Sequence, residues 1–198
     1  MMDRRTAIER ILSHLEPTDL LLATTGMTSR EAFVTDDRPG NFYMIGSMGL
    51  LSSFGLGLAL LNSHLRVVIV EGDGSALMSL GAVPLVAYEA PDNLHHIILD
   101  NGVYQSTGAQ VSISSRLDLG KIVAAAGYRL TLSAYDPDSL DRALATALHS
   151  GGPTCVHVRI DVSQVEGIPR VTHAPEAIRD RFAEAVQDTR AGDASTRR

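Results

Sequence analysis

The sequence predicts an α/β domain of three layers, with helices on both faces of a mainly parallel sheet of about six strands. Three observations carry this. Short apolar, β-branched runs alternate with stretches of helical periodicity along the whole chain. Four of those runs end directly in a Gly-rich segment: Thr25-Gly26, Gly46–Gly49, Gly72–Ser75 and Asn101–Gly108. No internal repeat and no Pro/Gly/Ser linker divides the chain, so residues 1–188 are expected to form one domain and 189–198 a disordered polar tail.

The elements follow in order. Ala7, Ile8, Ile11, Leu12 and Leu15 recur at helical spacing, so residues 4–15 form an amphipathic helix that stops before Pro17. Asp19–Thr24 is a buried strand, and Asn41–Ile45 a second one. Leu50–Leu61 is an apolar helix, too short at 12 residues to span a bilayer. Arg66–Glu71 is β-branched and fits a central parallel strand. Ser75–Tyr88 reads as one helix and Leu94–Leu99 as a strand, whereas residues 101–116 have no period and form a long loop. Leu117–Ala126, Arg129–Leu132, Pro137–His149 and Thr154–Ile160 read helix, strand, helix, strand. Residues 161–173 are an extended crossing segment, and Pro175–Gln187 is a last helix with Ile178, Phe182 and Val186 on one face.

Composition narrows the function. A net charge of −6 gives no basic footprint for nucleic acid. The N-terminal residues are charged throughout, with no apolar signal core, so a cytoplasmic protein with no membrane partner is expected. The single cysteine, Cys155, excludes an internal disulfide and any four-Cys metal site.

In parallel sheets ligands bind beyond the carboxyl ends of the strands, where all four Gly-rich segments fall. Gly72-Asp73-Gly74-Ser75 joins a strand to a helix. Its glycines let the backbone approach a ligand, and the helix start at Ser75 suits an anionic phosphate. A carboxylate beside a phosphate makes sense when a cation such as magnesium lies between them. Asn101 follows Asp73 by 28 positions, a strand–helix–strand distance that brings its amide oxygen to the neighbouring strand end.

Together these residues resemble the diphosphate-binding signature of thiamine diphosphate enzymes, a GDG followed by an Asn. The resemblance implies thiamine diphosphate and Mg²⁺ as cofactors, with Asp73, Asn101 and the Val103 main-chain carbonyl as metal ligands. It implies cofactor contacts from Thr25, Gly26, Gly72, Gly74, Ser75 and Tyr104. Gly46-Ser47-Met48-Gly49 is similar to the segment that holds the aminopyrimidine, with Met48 wedged between the two rings. Four segments, TTGMTSRE, FYMIGSMG, GDGSALMSLGA and LDNGVYQSTGAQ, look like the cofactor-binding half (the PP-type domain) of sulfopyruvate and phosphonopyruvate decarboxylases, and the resemblance runs from about Ala7 to Phe182.

In that family the catalytic glutamate sits on a second, pyrimidine-binding domain, and nothing in these 198 residues resembles it. The resemblance therefore implies no catalytic residue on this chain, a separate α subunit that carries the glutamate, and an α2β2 or larger hetero-oligomer. The expected activity is decarboxylation of a small anionic 2-oxo acid, sulfopyruvate first. Phosphonopyruvate decarboxylation, another 2-oxo acid decarboxylation or carboligation, and a catalytically silent cofactor-binding subunit stay open. Arg30, Gln105, Ser106 and Thr107 sit in loops that can reach a substrate anion, although Met27 and Ala109 depart from the family's usual Lys and Gly.

Other residues carry less. His95 and His96 are adjacent on a strand and point to opposite faces, so they share no metal. His157 and Cys155 read as buried core residues, and Asp36-Asp37-Arg38 as a solvated loop.

Overall fold

The computed structural model describes residues 2–162 and 167–196, with side chains described as far as Asp188. In chain order the elements are α1 (Arg4–Ser13), β1 (Leu20–Ala23), α2 (Met27–Thr35), β2 (Asn41–Tyr43), α3 (Leu51–Leu61), β3 (Val67–Gly72), α4 (Asp73–Met78), α5 (Ala82–Glu89) and β4 (Leu94–Asp100). Then come a short antiparallel pair, β5 (Val103–Tyr104) and β6 (Gln110–Val111), and α6 (Leu119–Ala126), β7 (Leu130–Ala134), α7 (Pro137–Leu148), β8 (Thr154–Arg159) and α8 (Pro175–Thr196).

Six strands form one sheet, wholly parallel, in the order β2-β1-β3-β4-β8-β7. Side chains alternate between its faces. Leu21, Ala23, Val68, Val70, Ile97 and Leu99 pack with residues of α1, α2 and α7. Leu20, Leu22, Val67, Ile69, Leu94 and Ile98 pack with α3, α5 and α6. This is the expected three-layer arrangement, and both cores are apolar because every sheet strand but the edges is covered twice.

The contact between α3 and the sheet is unusually close. A Cβ on Gly55 would lie 2.4 Å from Ile69 Cδ1, so only glycine lets the helix sit at this depth. The helix keeps Leu51, Ser52, Leu56 and Ala59 inside while Leu50, Leu60 and Leu61 stay exposed.

Four expectations change. The single helix over Ser75–Tyr88 is two helices, because Ser79 leaves helical geometry and Gly81 caps a new start. The loop 101–116 contains the β5–β6 pair and two 3₁₀ turns, too short to show a period. α2, within the TTGMTSRE stretch, has no strong apolar stripe and was not expected. The last helix continues past Gln187 to Thr196, since no proline or turn pair interrupts it; the side chains of its last residues, and residues 163–166 of the crossing segment, lie outside the described part.

Asp37 and Arg38 are not a free loop. Asp37 accepts hydrogen bonds from Tyr43, His173 and Arg181, and Arg38 donates to the carbonyls of Glu16 and Asp19. They tie α2's exit to the β2 edge and to α8.

His95 and His96 do face opposite ways. His96 meets Glu71, and His95 Nδ1 lies 2.9 Å from Thr154 Oγ1. Burial, reinforced by the charge of Arg66, pushes the His95 imidazole down to about 4. Its folded value is thus below the unfolded one, so the neutral ring's contribution is complete above pH ~6.5 and is lost as pH falls toward 4. Replacing His95 by Gln is expected to remove about 3 kcal/mol of the stability that the native chain loses between pH 7 and 4, at 1.36 kcal/mol per pH unit. Urea unfolding at both pH values measures it, and parallel losses in the two proteins refute it.

Candidate functional site

Because the sheet is parallel, the C-terminal ends of β1, β3 and β4 lie side by side. The turns that follow them build one cleft, with walls from Thr24–Thr28, Gly72–Ser75 and Asn101–Ser106. It encloses about 70 Å³, well short of the roughly 300–1,000 Å³ of a complete small-molecule pocket.

Each turn has a local reason for its shape. α4 begins at Asp73, two residues before the expected start, and its N-cap position is Gly72, which has no side chain to cap the first turn. Gly74 is a close approach: a Cβ there would lie 2.4 Å from the Tyr104 ring. Gly49 has φ of 91°, and a Cβ on it would press to 2.9 Å from Met78 Cβ. Asn101 Oδ1 accepts from the Val103 amide at 3.1 Å, which folds the chain back so that Asn101, Val103 and Tyr104 share one wall.

The electrostatics centre on Asp73. Its carboxylate is buried, and its hydrogen-bond donors are neutral: the hydroxyls of Ser112 and Ser114 and the Gly74 amide. Ser114 Oγ lies 2.7 Å from Asp73 Oδ2 and 2.9 Å from Asp100 Oδ1, so its one proton serves two carboxylates. Asp100 is compensated by His157 at 2.8 Å and Arg159 at 2.9 Å. Burial would raise its pKa, but His157 and Ser114 hold it below the usual value. Among the described residues no arginine or lysine pairs with Asp73. Burial first, with Asp100's charge adding to it, raises its pKa above the ordinary carboxylate value. A buried carboxylate with neutral donors only is a place for a cation. Asp73, the Asn101 amide and the Val103 carbonyl are hard oxygen donors on one cleft, a set that suits magnesium completed by phosphate oxygens and water. Among the described residues no three His, Cys, Asp or Glu side chains cluster into a metal site of their own.

A second buried network supports the loop. Glu71 accepts from Ser52 Oγ and Ser75 Oγ, both at 2.5 Å, and from His96 Nε2 at 2.8 Å. Burial would raise its pKa, but the bond and charge of His96 and the two hydroxyls lower it, so the group is ionised. Since a carboxylate only accepts, His96 carries its proton on Nε2, and its Nδ1 faces Tyr128 Oη at 3.3 Å. Ser75 in turn accepts from Thr24 Oγ1 and from the Gly49 amide, each at 3.2 Å. Ser75 is therefore a strut that joins three strand-end turns rather than a helix cap.

A third network reaches the cleft from α1. Arg4 forms a buried pair with Glu31 at 2.8 Å and donates at 2.6 Å to Gln105 Oε1, which also accepts from Asn101. In the sequence Arg4 carries no distinguishing mark, because a charged residue in an amphipathic helix reads as solvated and its partner lies 27 positions away. Glu71 had one: an acid closing an otherwise apolar strand.

The expected residues are placed as follows. Thr25, Met48, Gly72, Asp73, Gly74, Ser75, Asn101, Val103 and Tyr104 line the cleft, as do Gln105 and Ser106. Gly46 and Ser47 are exposed and do not line it. Gly26 and Arg30 line a neighbouring cavity. Thr107 is exposed and bonds Gln110 instead. Thr24, Met27 and Thr28 of the TTGMTSRE segment line it too, and Arg4 and Ile160 line it without having been expected.

The profile of the thiamine pyrophosphate enzyme C-terminal TPP binding domain matches residues 24–158, which include every strand-end turn of the cleft. The chain belongs to this family of thiamine pyrophosphate enzymes. Thiamine pyrophosphate, the same compound as thiamine diphosphate, is the cofactor of such domains. A phosphonopyruvate decarboxylase of Streptomyces hygroscopicus is 46% identical over 181 residues, 91% of this chain and 45% of that one. The chain thus spans about half of that relative. A sulfopyruvate decarboxylase subunit beta of Methanothermobacter thermautotrophicus is 38% identical over 187 residues, covering 94% of this chain and 97% of the relative. Among solved structures, a Mycobacterium smegmatis chain described as a thiamin diphosphate-dependent enzyme superposes with a TM-score of 0.64 at 26% identity, covering 81% of this chain and 32% of that one. Among the described residues of this thiamine pyrophosphate enzyme no helix is long and apolar enough to cross a membrane.

Proposed function

We propose that residues 1–188 act as the diphosphate-binding half of a cytoplasmic decarboxylase for a 2-oxo acid bearing a sulfonate or phosphonate on C3. The pyrimidine-activating glutamate then comes from a separate α subunit in an α2β2 or larger assembly. The observation that carries this reading is the uncompensated Asp73 carboxylate beside Asn101 and Val103. In this reading those three groups hold Mg²⁺, and the backbone of the Gly72–Ser75 turn receives the diphosphate. Met48 supports the rings. Bound thiamine diphosphate supplies the electron sink for loss of carbon dioxide. The chain's own part is to neutralise, orient and hold: Ser75 fixes the turns, and Gln105 and Ser106 line the cleft.

The small cleft, the beta-subunit relatives and the roughly half-length match to phosphonopyruvate decarboxylase support a two-part site. Carbon dioxide release is the test. With magnesium, cofactor and either 3-sulfopyruvate or 3-phosphonopyruvate, the purified chain alone is expected to release none above background. Adding a pyrimidine-binding partner encoded in the same genome is expected to restore turnover, and changing that partner's glutamate to Gln to abolish it. Full activity of the isolated chain would overturn the two-chain reading.

A further inference from the structure

Beside the cofactor cleft lies a second cavity of about 250 Å³, and Thr25 belongs to the walls of both. Its volume equals about eight waters, room for a three-carbon acid with one tetrahedral head group. Met44, Ile45 and Val171 supply apolar wall, and the charge comes from two guanidinium groups, Arg30 on α2 and Arg170 on the segment that precedes α8. Among the described residues no Asp or Glu lines this cavity. Other arginines of the domain hold acceptors: Arg4 holds Glu31, Arg38 two carbonyls, Arg66 Asp19 and Arg159 Asp100. The guanidinium groups of Arg30 and Arg170 have no ion-pair or hydrogen-bond partner among the described residues. Half-buried Arg30 and exposed Arg170 thus place two positive charges on the wall of one cavity with no acidic side chain among its described lining residues, an arrangement that favours an anion. A guanidinium fork pairs with carboxylate and tetrahedral oxyanions alike, but two of them offer more donors than one carboxylate can accept, which favours a three-oxygen head group.

We propose that Arg30 and Arg170 together form the oxyanion subsite for the C3 head group of the substrate, a phosphonate or sulfonate, with the reacting carbonyl directed across Thr25 to the cofactor cleft. This rests on the decarboxylase reading above. It also assigns the discrimination against plain pyruvate, which has nothing to place between the two arginines.

The full chain, with its arginine side chains isotope-labelled, is titrated with phosphonoacetate, sulfoacetate and acetate while the guanidinium Nε–H resonances are followed. The Arg30 and Arg170 signals are expected to move with the first two and not with acetate, and affinity to fall at least tenfold in Arg30→Gln and in Arg170→Gln. Whichever oxyanion binds tighter names the head group. Equal response to acetate, absence of any shift, or unchanged affinity in the variants would overturn the subsite. So would displacement of phosphonoacetate by thiamine diphosphate, since the arginines would then hold the cofactor. Thiamine diphosphate binding, measured on the same samples by calorimetry, is expected to be unchanged in both variants. Its absence from the native chain would instead defeat the cofactor reading, independently of what the arginines bind.

Discussion

Changing Asp73 to asparagine is expected to weaken magnesium-dependent thiamine diphosphate binding at least ~100-fold, about 2.7 kcal/mol, while the cofactor-free chain becomes no less stable. The two signs differ because the carboxylate is poorly provided for when no cation is present. It is buried, its donors are neutral, and it shares the Ser114 proton with Asp100. Asparagine keeps an oxygen that can accept from Ser114 but removes the charge. Asp73's raised pKa has the same sense: the ionised form is disfavoured in the fold, a penalty present at neutral pH that disappears as pH falls below the raised value. Cofactor affinity should therefore begin to fail at a higher pH than for an ordinary carboxylate. Isothermal titration with and without magnesium, paired with urea unfolding of the cofactor-free protein, separates the two effects. A variant that loses stability but binds the cofactor normally would make Asp73 a structural residue and sink the metal assignment.

Replacing Glu71 by alanine is expected to cost about 3–5 kcal/mol, a large part of the roughly 5–15 kcal/mol that a domain of this kind has. The side chain is fully buried and holds Ser52, Ser75 and His96 at once. Its removal leaves three buried donors without an acceptor. Its lowered pKa means that its contribution is present above the ordinary value of 4.5 and is lost as pH falls through the lower folded one. Urea unfolding measures the loss, and a double-mutant cycle with His96→Leu is expected to show strong coupling. A loss below ~1 kcal/mol would mean that the three donors find other acceptors and that Glu71 does not set the position of Ser75.

Much of this architecture was written in short-range patterns. Alternating runs such as RVVIVE and LHHIIL named the strands, and the Gly-rich punctuation after them named the end of the sheet where the cleft lies. The pair Asp73 and Asn101 was legible because one crossover fixes the spacing between neighbouring strand ends. Arg4 was not, since its meaning depends on Glu31 and Gln105, which only the folded chain brings to it. Ser75 was read from its position in a turn, and its true role depends on Thr24, Gly49 and Glu71 from three other places. Arg170 was invisible for the same reason: it lines one cavity with Arg30, 140 positions away in the chain. Periodicity reports which face of an element is apolar, and it is silent about which polar groups converge.

Gly55 shows how far such convergence reaches. Because this position has no side chain, α3 lies deep against Ile69 on β3. One turn earlier on the same helix, Ser52 reaches Glu71, which positions Ser75 and through it the turn at Gly49. The separation between a helix and a sheet thus acts as a calibration for a ligand pocket that neither Gly55 nor Ile69 touches. A lineage could keep every residue of the cleft unchanged and still detune it through one methyl group, so inheritance of the motif and inheritance of the function are separable in this fold.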